Sequence, residues 1–95
     1  MPIIKYLTLF TMLPFRSEIR NSPREQTIKI YIKDLAKLTA VKSILEKLDS
    51  IALLEIQKSL SRNRVNKNIT VFRNKGVDIN QLKNTIDNTL YHYFA

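Results

Sequence analysis

No cysteine occurs among the 95 residues. That excludes a disulfide framework, thiolate metal ligands and a cysteine nucleophile. Glycine is used once, so there is no glycine-rich loop to cradle a phosphate. The single histidine, His92, stands between Tyr91 and Tyr93. It has no cysteine to activate, and no sequence context marks a serine as its nucleophile. Acidic residues are scarce, eight against sixteen Lys and Arg. Asp34, Glu46, Asp49, Glu55, Asp78 and Asp87 are scattered, and nothing places two of them together for metal-assisted phosphoryl chemistry. Long hydrophobic runs are also missing. The apolar stretch from Tyr6 to Phe15 is too short for a spanning helix, which needs roughly 20 residues. These absences lead to an expectation of no catalytic residues, no cofactor, no metal and no transmembrane segment.

What is present is positive charge. The net charge is +8 and the pI is near 10. Such a balance favours an anionic partner: nucleic acid, a membrane surface or an acidic protein. The plainer explanation is a chain rich in Lys, Asn and Ile through base composition.

The strongest local pattern runs from Thr27 to Asp49. Ile28, Ile30 and Ile32 alternate with Thr27, Lys29 and Tyr31, the period-2 signature of a half-buried strand. Asp34 offers a helix N-cap. Leu35, Leu38, Val41, Ile44, Leu45 and Leu48 then recur every three or four residues, one face of a helix. Ser50 to Gln57 reads as a second strand, with Ala52, Leu54 and Ile56 on one face. Lys58 to Asn68 reads as an open hairpin loop, followed by a third strand on Ile69, Val71 and Arg73. Asn74, Lys75 and Gly76 make a turn, Gly76 being the residue that tolerates positive φ. Asp78 caps a second helix, with Gln81 in the capping-box position. Its buried stripe is Ile79, Leu82, Ile86, Leu90 and Tyr93, leaving Tyr91 and Phe94 as candidate exposed apolar surface.

The expected fold is α+β, a ferredoxin-like β-α-β-β-α arrangement with helices on one face of an antiparallel sheet. The usual last strand of that plan is missing. The N-terminal run Ile3 to Phe10 is the economical filler of the vacant edge, a second chain being the alternative. Residues 16–26 are polar and contain Pro23, so they read as a linker. The chain thus divides into an N-terminal arm and linker, 1–26, and an α+β domain, 27–95. The expected location is cytoplasmic; the alternative is organelle targeting through residues 1–25, where Arg16, Arg20 and Arg24 favour it and Glu18 and Glu25 oppose it.

Two resemblances follow. Ile30-Tyr31-Ile32-Lys33-Asp34-Leu35 resembles the first-strand motif of RNA-recognition-motif domains, with Asp34 where Asn is usual. That resemblance implies a base stacked on Tyr31. Val65 to Phe72 departs from the family's second motif, having no glycine and only its last aromatic. Residues 28–94 are similar in hydrophobic spacing to heavy-metal-associated domains, through Leu45, Leu48, Asp49, Ile51, Ile69, Val71, Leu82 and Ile86. The metal-binding Cys-x-x-Cys of that family has no counterpart between Asp34 and Lys42, so soft-metal binding by that route is excluded. What remains of it is a scaffold.

The feature that carries most chemistry is a basic run. Lys58, Arg62, Arg64, Lys67, Arg73 and Lys75 fall in one hairpin, and no acid occurs from Gln57 to Val77. These cations are the expected nucleic-acid contacts, with Tyr31 and an outward Phe72 as stacking residues. The sequence therefore reads first as a small basic, non-enzymatic module binding RNA or DNA backbone in a nucleoprotein assembly. Second in rank is a protein-interaction or homodimer module using a sheet edge or the C-terminal aromatics. Third is a small nuclease or toxin, with Asp34 the residue to suspect.

Overall fold

The computed structural model describes residues 13–61 and 64–95, with side chains for all of these except 59–61 and 64–66. The expected extra strand over Ile3 to Phe10 lies outside the described residues. Among the described residues four strands and two helices follow one another: β1 Phe15–Asn21, β2 Gln26–Ile32, α1 Leu38–Leu45, β3 Ile51–Ser61, β4 Arg64–Arg73 and α2 Ile79–Phe94. A 3-10 turn, Leu35–Lys37, leads into α1. The sheet is antiparallel throughout, in the order β1-β2-β4-β3.

The α+β class and antiparallel sheet agree with the sequence reading, whereas the element order differs. A strand precedes the expected series, and it lies where a linker was expected. Phe15 to Asn21 pairs along its full length with β2, from Phe15↔Ile32 to Asn21↔Gln26. The turn between them is closed by Ser22. Its amide donates to Glu25 O at 3.1 Å, its hydroxyl donates to the same oxygen at 2.7 Å, and Glu25 N–H donates back to the hydroxyl at 3.2 Å. Ser-Pro-Arg-Glu is a turn sequence, with Ser first and Pro second; Pro23 therefore sits in the turn of a hairpin.

Helix and strand periodicities converge on one core. Ile28, Ile30, Ile32, Ile69, Val71 and Leu54 from the sheet meet Leu38, Val41 and Leu45 of α1 and Ile79, Leu82, Ile86 and Leu90 of α2, all buried. The first helix packs over β3 and β4, the second over β1 and β2. Asp34 does cap, accepting from Ala36 N–H at 3.1 Å, but what it caps is the 3-10 turn. Leu35 consequently lies off the core face and is exposed. Asp78 caps α2 through Gln81 N–H at 3.0 Å, and Gly76 takes the positive φ of +84° expected of it.

Three further expectations are corrected. Lys58 to Asn68, expected as an open loop, is paired strand up to Ser61 and again from Arg64, with Lys58↔Lys67 and Ser61↔Arg64 in register. Leu54 and Ile56 share the core face, opposite Val71 and Ile69, but Ala52 does not share it. A bulge falls between Ile51, paired with Arg73, and Leu53, paired with Phe72. It turns Ala52 out while Ile51 packs on the core. At the C-terminal end, Phe94 and not Tyr93 continues the stripe, because 82, 86, 90 and 94 keep a spacing of four. Phe94 stacks on Phe15 with ring centroids 5.8 Å apart, and Tyr91 meets the same ring edge-on at 5.1 Å.

Candidate functional site

The side of the sheet away from the helices carries Arg16, Glu18 and Arg20 from β1, Lys29 and Tyr31 from β2, Asn68, Thr70 and Phe72 from β4, and Leu53, Glu55 and Gln57 from β3, by strand alternation from the core residues. This face is not uniform. The ladder between β2 and β4 is short, running only from Thr27↔Phe72 to Ile30↔Ile69. Past that point β3 and β4 continue pairing with each other, through Gln57↔Asn68 and Lys58↔Lys67 to Ser61↔Arg64. On the other side β1 and β2 also stay together, and Lys33 N–H donates to Pro14 O at 3.0 Å. The sheet therefore divides at one end into two hairpins.

A cleft of about 500 Å³ opens at this division, within the range of ordinary ligand pockets. One wall is Arg16, Lys29, Tyr31, Ile32, Lys33 and Leu35; the other is Gln57, Lys58, Lys67 and Asn68. Among the described residues this lining has five cations and no carboxylate. On the open face Glu18 and Glu55 lie in the cross-strand row of Lys29, which runs Glu18, Lys29, Thr70, Glu55, and neither is part of the lining. Lys58 and Lys67 are direct cross-strand partners, a like-charge placement that disfavours the fold in the absence of a counter-charge.

Tyr31 is held on three sides. Its hydroxyl donates to Glu18 Oε1 at 3.0 Å and accepts from Arg20 Nη2 at 3.1 Å. The Arg16 guanidinium lies 4.4 Å from its ring centroid, a cation–π arrangement. Burial pushes the Glu18 carboxyl up, but the Tyr31 hydroxyl bond and the charges of Arg20 and Arg16 outweigh it and leave its pKa lowered. Asn68, at the opposite wall, is 5% exposed, and its Oδ1 has no hydrogen-bond partner. Thr70, also on the open face, is buried with Oγ1 unbonded.

The expected contact residues are thus divided in space. Lys58, Lys67 and Tyr31 come together at the cleft. Arg73 lies six residues along β4 from Lys67, roughly 20 Å away at strand spacing, and its Nη1 donates to Val77 O at 2.9 Å. Lys75 is in the exposed turn beyond it. Phe72 faces the same side as Tyr31, but its β2 partner is Thr27, about 13 Å along the strand from Tyr31. The two rings do not form one stacking platform. Arg62 lies outside the described residues, and Arg64 is the first residue of β4. The sequence reading missed Arg16, Lys29 and Lys33 as lining. Lys29 is legible as an outward strand residue; Arg16 is not, because the polar sequence of its strand reads as a linker.

Among the described residues no group of three His, Asp or Glu is placed to hold a metal ion, and no helix is long and apolar enough to cross a membrane. Comparison with protein-family models, with curated proteins and with solved structures gives no match to this chain.

Proposed function

We propose that this protein is a non-enzymatic module that binds the phosphate backbone of nucleic acid in the cleft between its two hairpins, as a component of a nucleoprotein assembly. The observation that carries this reading is the cleft lining itself: five cations on two opposed walls with no carboxylate among them. Opposed walls suit a strand that passes between them, and each Lys or Arg that meets a phosphate releases counterions. Arg64 belongs to the strand that forms one wall. Arg73 and Lys75, at the far end, would attract the polyanion from a distance without touching the same segment. The base stacking that the RNA-recognition-motif resemblance implies for Tyr31 would share that ring with Arg16. On this reading the fold is a ferredoxin-like sandwich whose missing last strand is replaced by β1, and the sheet order β1-β2-β4-β3 supports it.

The test is binding of labelled single-stranded and double-stranded oligonucleotides across a salt series, beside the double variant Lys58→Glu/Lys67→Glu. The expected result is tight binding at low salt that weakens steeply as salt rises. The variant should show a log–log slope shallower by about 1.4, the value for two lost phosphate contacts to a single strand. No binding at low salt overturns the reading. The edge strand β3 then leads, since Leu53 and Ile56 are exposed, one on each face of a strand open to pairing with a partner or a second copy.

A further inference from the structure

The cleft is a notch through the end of the sheet, with cations on both sides of it. The pairing of β3 with β4 runs without a break from Leu53↔Phe72 to Ser61↔Arg64, so side chains alternate strictly along it. Lys58 and Lys67 thus lie on the same side as Leu54, Ile69 and Val71, the side that carries the helices. Arg16 and Lys29 lie on the open side with Tyr31. All four line the one cleft. The helices do not close it from their side. Ile56, the residue before Lys58 on that face, is 37% exposed, and Leu35, which lines the cleft from the 3-10 turn, is 46% exposed.

The register bounds its width. The last pair between β2 and β4 is Ile30↔Ile69. Ile32 and Lys67, two residues further along each strand, can be no more than about 18 Å apart, backbone to backbone, at ordinary strand rise and spacing. The side chains of both walls narrow the gap further. One nucleic-acid strand passes through such an opening; a duplex, with two backbones and the base pairs between them, does not. The lining also offers Leu35, an exposed apolar side chain among cations. The unpaired base of a single strand can pack on it, whereas a duplex keeps its base faces stacked inside.

We infer that the ligand is a single strand that crosses the end of the sheet from the open face to the helix side, its successive phosphates held first by Arg16 and Lys29 and then by Lys58 and Lys67. This rests on the reading of the cleft as a phosphate-backbone site and adds the strandedness of the nucleic acid and its path.

The experiment titrates the full chain with one mixed-sequence 12-mer, in DNA and in RNA, as the free strand and as the blunt duplex, across a salt series. Lys29→Gln probes the open face and Lys67→Gln the helix side. The double variant is run beside them, and thermal melting of each checks folding. The free strand is expected to bind about tenfold more tightly than the duplex, the worth of one base contact. Each single variant should make the log–log slope for the free strand shallower by about 0.7, and the double variant by about 1.4, because the two faces hold different phosphates. A duplex that binds as tightly as the free strand overturns the inference and leaves phosphate binding standing. A slope that responds to only one of the two single variants also overturns it, since the strand then stays on one face. If the free strand binds and neither variant changes its slope, the backbone is held elsewhere, and the cleft reading falls together with the inference. Both fall as well if nothing binds at low salt. Should Lys29→Gln or Lys67→Gln fail to melt cooperatively, Arg16→Gln or Lys58→Gln takes its place on the same face.

Discussion

Tyr31 holds Glu18, Arg20 and Arg16 in one cluster on the open face. The cluster has a measurable signature in Glu18. Its lowered pKa means that it favours the folded state above the unfolded carboxyl value, near 4.5, and that this contribution is lost as pH falls through the folded value below it. A carboxyl-detected NMR titration should place the Glu18 midpoint under 4.5. In Tyr31→Phe, which keeps the ring for Arg16 but removes the hydroxyl, the midpoint should move upward. A midpoint unchanged by that substitution would mean the arginines alone hold the carboxylate. Residue-scale detail of this kind was only partly legible in the sequence. Both caps, Asp34 and Asp78, and the positive-φ Gly76 were readable because each needs only its immediate neighbours. The arginine beside Tyr31 was hidden, because Arg16 meets it only through the strand register.

Strand β1 shows where reading by element fails. Its core-facing positions are Phe15, Ser17 and Ile19, and only Phe15 is fully buried. An edge strand with one deeply buried side chain has too little apolar alternation to stand out, and its other residues look like a polar linker. What fixes it is tertiary. Phe15 sits between Tyr91 and Phe94, and the Ser17 hydroxyl donates to Asp87, which also pairs with Lys83 at 2.8 Å. The long-period elements were legible for the opposite reason: four isoleucine, leucine and valine stripes repeat often enough to declare a strand or helix unaided. The weight carried by Phe15 can be measured. Phe15→Ala should lower unfolding stability by about 3–5 kcal/mol in a denaturant titration, a large share of the total for a domain of this size. A loss well under 1 kcal/mol would show that β1 is held by its backbone ladder alone.

Across the whole molecule, the excess charge acts on the fold as well as on partners. Lys58 and Lys67 face each other across β3 and β4, and Lys29, Lys33 and Arg16 add to the same cleft. Self-repulsion on this scale is screened by salt. Raising sodium chloride from about 10 to about 200 mM, which shrinks the screening length from roughly 30 Å to under 10 Å, should therefore raise the melting temperature. Lys58→Glu should reduce that rise by placing an opposite charge across from Lys67; a melting temperature indifferent to salt would show that the cleft cations cost the fold little. The division of the sheet has a further meaning. Strand, strand, helix is followed by strand, strand, helix, and β2 and β4 lie antiparallel at the centre with β1 and β3 outside. The plan is a pseudo-twofold about the β2–β4 seam, although the residues show no repeat. Each half lends its helix to the other, α1 covering β3 and β4 and α2 covering β1 and β2. A chain cut between Glu46 and Ser50 would yield two fragments that each lack the helix covering their own strands, so neither is a smaller domain and only the pair is complete. The symmetry is approximate: the second hairpin has strands of 11 and 10 residues against 7 and 7, and the second helix has 16 residues against 8. The cleft lies at one end of that seam, where the β2–β4 pairing stops at Ile30↔Ile69 and the two halves part.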